Sequence, residues 1–183
     1  MAQYTIIATA AMGLEALVAK EVRALGYECT VDNGKVIFKG DETAIARANM
    51  WLRTADRVKI QVAQFKALTF DELFENTKAI PWENFITEDG EFPVAGKSHK
   101  SKLFSVSDCQ AIVKKAIVER LKRAYNRIAR FEENGPLFKL EVAMLKDIAT
   151  ITLDTSGVGL HKRGYRLEQG EAPLKETMAA ALV

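Results

Sequence analysis

"YECTVDNGKVIFKG", Tyr27 to Gly40, decides the fold. Its two short runs, "YECTV" and "KVIFKG", are separated by "DNG", and Asn-Gly between such runs is the strongest short-range signal for a β-hairpin. Before it, "YTIIATA" (Tyr4–Ala10) is a β-rich apolar run. "GLEALVAKEVRALG" (Gly13–Gly26) places Leu14, Leu17, Val18, Val22 and Leu25 on one helical stripe, with Gly26 as a C-terminal cap. After it, "DETAIARANMWLRTA" opens on Asp41 as N-cap and runs as a second helix, and "RVKIQVAQF" (Arg57–Phe65) alternates as a strand. The order βαββαβ over residues 1–66 is a split-βαβ, ferredoxin-like unit.

A second α+β unit follows. "TFDELFENTKAI" is a short helix with acids in its first turn, stopped by Pro81, and "WENFITEDGEF" is an acidic loop. "FPVAGK" is a short strand, and "SHKSKLF" a basic connection. "SVSDCQAIVKKAIVERLKRAYNRIARF" (Ser105–Phe131) is the longest helix, capped by Ser105 or Ser107 and closed by Asn134-Gly135-Pro136. "LFKLEVAMLKDIATITLDT" divides at Lys146-Asp147 into a hairpin. Pro173 suits the first position of a last helix, "LKETMAAALV", whose apolar residues have nothing after them to pack on, so a longer parent chain is expected.

Composition is that of a globular protein, 48% hydrophobic and 27% charged, and no apolar run is long enough for a signal peptide or membrane span. Cys29 and Cys109 read as reduced core residues, which implies a cytoplasmic protein. The net charge of +2 hides two opposed blocks. Ala67–Glu91 holds seven acids and one lysine, whereas Lys97–Arg130 holds ten basic residues and two acids. A localised basic block points to an anionic partner or to a solvated face.

On the long helix, 100° spacing gathers Val106, Cys109, Val113, Ala116, Ile117, Ala124 and Phe131 on one side. Lys115, Glu119, Lys122, Asn126 and Arg130 gather opposite, with Arg123 alongside, as a basic ridge. Arg120 falls in the apolar sector and calls for a structural ion pair. In "GKSHKSKLFS" (Gly96–Ser105), Lys97, Lys100 and Lys102 interleave with Ser98, His99, Ser101 and Ser105 ahead of a helix N-terminus, a pattern suited to phosphate. "GVGLHKRGYR" (Gly157–Arg166) lacks the spacing of a dinucleotide loop or a P-loop. Lys162, Arg163 and Arg166 could clamp a nucleic-acid backbone there, and Tyr165 could stack on a base or pack in a linker. The only two histidines, His99 and His161, make no metal site, and no catalytic constellation emerges.

The segments "ATAAMGLEALVAKEVRALG", "NMWLRTADRV", "FPVAGKSHKSKLFSVSDCQAIVKKAI" and "GLHKRGYRLEQGEAPLKETMAAAL" resemble, in order, the N-terminal half of one family. It is the bacterial THUMP-containing, S-adenosylmethionine-dependent methyltransferases that modify a guanine 2-amino group in 23S ribosomal RNA. The resemblance implies a ferredoxin-like domain at 1–65, a THUMP RNA-binding domain at 66–156, a basic linker at 157–173, and at 174–183 the first helix of a Rossmann-like methyltransferase domain that this chain lacks. It implies RNA as partner, ribosomal first and transfer RNA second, with neither membrane nor metal. S-adenosylmethionine is implied for the parent, and no cofactor for this chain. Arg53 and Arg57 match a family pattern but read first as structural ion pairs. A reading of another class is a protein-interaction scaffold, in which the acidic segment of one copy meets the basic block of the next.

Overall fold

The Asn33-Gly34 hairpin forms, with Asp32 opposite Lys35 and Gly34 at φ 71°, a left-handed conformation that favours glycine. The computed structural model describes residues 2–127, 131, 133–164 and 173–183. The chain divides into two units, Met1–Gln61 with Asp154–Val183, and Val62–Leu153.

In the first unit, β1 (Tyr4–Ala10) lies between β3 (Lys35–Gly40) and the start of β4 (Ala55–Lys66), with β2 (Cys29–Asp32) beyond β3 and every pairing antiparallel. Ile6 faces Phe38 on one side and Ile60 on the other. Alternate residues Ile6, Ala8, Val36, Phe38 and Val58 bury one face against α1 (Glu15–Ala24) and α2 (Glu42–Trp51), through Val18, Ala19 and Val22 of α1 and Ala44 and Ala48 of α2. Fully burying a valine such as Val18 contributes about 1.5–3 kcal/mol. Asp41 caps α2 as its sequence implies, its carboxylate accepting from Ala44 N at 2.9 Å. Helix and strand approach so closely that a Cβ at Gly40 would lie 2.3 Å from Ala44 Cβ.

The chain returns to this unit after residue 153. Thr155 N donates to Val58 O (3.0 Å), Val58 N donates to Ser156 Oγ (2.7 Å), and Ser156 Oγ donates to Asn49 Oδ1 (2.8 Å). Leu160 enters the core. The last helix, α5, spans Glu176–Leu182, opening three residues after Pro173. Lys175 and Thr177 hold it to Asp56 at 2.7 and 3.1 Å.

In the second unit, α3 (Phe70–Ala79) begins with a reciprocal cap, a capping box whose return bond falls one residue before the N-cap. Thr69 Oγ1 accepts from Glu72 N, and Glu72 Oε2 accepts from Leu68 N at 2.6 Å. β5 (Val94–His99) runs parallel to β6 (Leu140–Leu145), and a parallel neighbour needs a crossover. That crossover contains α4 (Val106–Ala124), and β6 then pairs antiparallel with β7 (Ile148–Asp154). Trp82, Phe92, Ile117, Leu121, Leu140, Met144 and Ile151 fill the core. The expected helix to Phe131 ends early, at Ala124. Asn126 takes a left-handed φ of 53°, Tyr125 Oη donates to Ile86 O at 2.7 Å, and Arg127 pairs with Glu88 at 2.6 Å. Asparagine tolerates that conformation, so the turn wins over continued apolar periodicity. Among the described residues, no helix is long and apolar enough to cross a membrane.

Candidate nucleic-acid interface

The end of β5 carries the lysine-rich loop, and the β6–β7 turn braces it. Lys146 and Asp147 occupy that turn with φ of 50° and 65°. Asp147 Oδ1 accepts from Lys102 N at 2.7 Å, while Asp147 N donates to Ser101 Oγ at 3.0 Å. Ser101 Oγ in turn donates to His99 O, and Lys146 N donates to the same carbonyl at 3.2 Å. Ala67 N closes the set on Asp147 O at 2.9 Å. Three backbone segments are thus hydrogen-bonded around one aspartate. Lys66, Lys100, Lys102 and Lys146 are all exposed on them, none with an ion-pair partner among the described residues. Sequence reasoning missed Lys66 and Lys146. The parallel register of His99 with Leu145 is what brings Lys146 to the loop.

The helix beyond presents a different balance. Lys78 pairs with Glu119 at 2.9 Å, which raises the lysine's pKa. Arg120 clamps Glu83 through Nε and Nη2, and this hydrogen bonding holds the Glu83 carboxyl below the usual carboxylate range. Arg120 is therefore the structural ion pair its place in the apolar sector called for. Lys114 reaches Glu133 (2.8 Å) and lies over the Phe92 ring at 4.2 Å. Of the seven acids in Ala67–Glu91, Glu83 and Glu88 are paired with basic residues of the same unit, Arg120 and Arg127. Lys115 stands over Phe74, and Lys122 and Arg123 have no ion-pair partner among the described residues.

Comparisons with known proteins give this geometry a family. The RlmL ferredoxin-like domain model matches residues 5–59, and the THUMP domain model matches residues 67–154. The chain is a ferredoxin-like and THUMP domain pair. It is 68% identical to "Putative RNA methyltransferase YpsC" of Bacillus subtilis, over all of this chain and 48% of that protein. It is 36% identical to the ribosomal RNA large subunit methyltransferase K/L of Syntrophotalea carbinolica, over 96% of this chain and 25% of that protein. Two crystal structures superpose on the whole chain and cover 48% of their own. One is "a predicted N6-adenine-specific DNA methylase" of Listeria monocytogenes (TM-score 0.95, 67% identity), the other SMU.472, "a putative methyltransferase complexed with SAH" (0.93, 50%). The chain spans half or less of the length of these relatives.

Within the THUMP domain, Lys97 is paired with Glu141 at 2.9 Å, although its side chain stays 68% exposed. Ser98 Oγ donates to Leu103 O at 2.7 Å, so its hydroxyl proton, like that of Ser101, holds the loop together instead of facing solvent. Ser105 stands at the N-cap of α4 without a capping bond, its hydroxyl 3.4 Å from Ser107 Oγ. His99 is exposed beside the lysines. Asn126, placed on the ridge by spacing, lies past the end of α4, and Arg130 lies outside the described residues.

On the ferredoxin-like domain, "GVGLHKRGYR" is fastened down as far as Gly164, and Tyr165 and Arg166 lie outside the described residues. Arg163 is engaged within its own unit. Expected as a nucleic-acid clamp, its guanidinium donates to Leu160 O (3.1 Å), Met50 O (2.9 Å) and Leu52 O (2.6 Å), capping the end of α2. Lys162 is exposed, while His161 Nδ1 is buried with no partner among the described residues. Arg57 pairs with Asp154 at 2.5 Å and Arg53 with Glu21 at 3.6 Å, the structural ion pairs expected of them. Both cysteines are free thiols, and burial pushes that of Cys109 up.

Proposed function

We propose that this chain is the RNA-binding part of a longer S-adenosylmethionine-dependent methyltransferase whose substrate is structured ribosomal RNA, the modified group being a guanine 2-amino group of 23S RNA. In this reading residues 1–65 and 66–156 are the two RNA-binding domains, 157–173 joins them to the catalytic domain, and 174–183 is that domain's first helix. A cytoplasmic location goes with it, in keeping with two free thiols.

The observation that carries the reading is the cluster of Lys66, Lys100, Lys102 and Lys146, exposed on backbone already held by hydrogen bonds. Ammonium groups carried on a braced backbone suit A-form RNA, whose deep major groove hides base edges and leaves phosphates and 2′-hydroxyls to be recognised. Lys97, Lys115, Lys122 and Arg123 of the same unit are assigned to RNA as well, and Lys162 of the other unit to a contact of its own. The scaffold alternative loses two of the acids it needs, Glu83 and Glu88, to ion pairs within the same unit.

The cofactor supplies the methyl group, and no residue here is assigned to it.

The test is a titration of the 183-residue chain with a 23S RNA fragment, a transfer RNA and a DNA duplex between 50 and 200 mM salt. Binding to the ribosomal fragment is expected to be tightest. Changing Lys100→Glu and Lys102→Glu together is expected to weaken it and to flatten the log–log salt slope by about 1.4–1.8. An unchanged slope in that variant refutes the assignment.

A further inference from the structure

Phe104 is 82% exposed, whereas its neighbour Leu103 is 5% exposed. This is not a loose loop that happens to show a ring. Leu103 occupies the core, and its carbonyl accepts from Ser98 Oγ at 2.7 Å and from Cys109 Sγ at 3.8 Å. On the other side, Phe104 N donates to Lys102 O at 3.1 Å, and Lys102 N is tied to Asp147. The next residue, Ser105, is the N-cap of α4. Phe104 is therefore fixed at both ends with the apolar slot beneath it already filled, and its ring is directed to solvent between Lys102 and the helix.

An aromatic face among unpaired ammonium groups asks for one ligand that is flat, apolar on its faces and negative alongside. A nucleotide meets all three conditions: its base stacks on the ring while its phosphates meet the lysines. A base inside a duplex has both faces covered, so only an unpaired base can do so.

We infer that Phe104 is a stacking platform for an unpaired base of the RNA, next to the phosphates held by Lys100 and Lys102. The inference rests on the RNA-binding reading and deepens it, naming a junction between paired and single-stranded RNA as the feature recognised. Because the platform is rigid before binding, little ordering of the protein opposes the contact.

The experiment compares two RNAs of equal charge, a hairpin with a single-stranded overhang carrying 2-aminopurine and a fully paired duplex. With the unaltered chain, 2-aminopurine fluorescence is expected to be quenched by stacking. Phe104→Ala is expected to abolish the quench and weaken overhang binding about 5- to 150-fold, leaving duplex binding and the salt slope unchanged. Phe104→Trp is expected to restore both. If Phe104→Ala binds the overhang RNA as tightly as the unaltered chain, or loses equally on both RNAs, the platform is overturned while RNA binding stands. If the unaltered chain binds neither RNA, both readings fall.

Discussion

Arg163 separates structural charge from binding charge. Its Nη2 donates to Leu52 O at 2.6 Å, next to a side chain that is wholly buried, and its Nη1 donates to Met50 O on the exposed side. Removing a charged donor from a partly buried carbonyl costs about 1.5–3 kcal/mol. The exposed Met50 carbonyl can turn to water and adds little, so Arg163→Ala should lose about 2 kcal/mol. For one cooperative transition of a chain this long, that lowers the midpoint by about 4–8 °C. Arg163→Lys keeps the charge but has no planar fork, so it should recover only part of the loss. The assay is thermal and urea denaturation of both variants, run beside RNA titrations over a salt series. The expected result is reduced stability with an unchanged salt slope, since the donors of this guanidinium are taken up by carbonyls. Full stability with a shallower salt slope, rescued by lysine, would refute the argument and return Arg163 to the nucleic-acid surface.

Gly40→Ala puts a Cβ against Ala44 where α2 crosses β3, and overpacking of this kind costs about 1–3 kcal/mol, to be read as a lower urea midpoint at constant m. A midpoint equal to that of the native chain would mean that the helix can shift without penalty. Glu83 is held below the ordinary carboxylate range of about 4–4.5 by Arg120, so at moderately acidic pH the unfolded state binds the extra proton. Its contribution is complete above that range and is lost as pH falls through the lower folded value. Glu83→Gln should flatten the fall in melting temperature on the acid side, and a curve merely displaced in parallel would show that the pair does not titrate with folding.

Local signals were legible and distant ones were not. The DNG turn, the Asp41 cap and the alternation of β1 and β4 are short-range statements, and they were enough for the ferredoxin-like order. The misread end of α4 has a physical reason: apolar spacing continues to Phe131, but a left-handed Asn126, with Arg127 drawn to Glu88, turns the chain first. Two of the three carbonyl partners of Arg163, Met50 O and Leu52 O, lie more than a hundred residues earlier, beyond the reach of a local reading. Ser98 and Ser101 looked like phosphate donors because the spacing cannot reveal that a turn at Asp147 would take up the same loop. Lys146 was visible as a turn residue, yet only the parallel pairing of β5 with β6 makes it a neighbour of Lys100.

The first unit is built from both ends of the chain, with Asn49 and Val58 waiting for Thr155 and Ser156. During synthesis at about 5–20 residues per second, the roughly ninety residues from Val62 to Leu153 take about 5–20 s to appear. Throughout that time the early strands lack their last hydrogen-bond partners, while the inserted unit receives its whole core in one continuous run. The inserted unit can therefore be finished first, and the unit that encloses it in sequence is completed only afterwards.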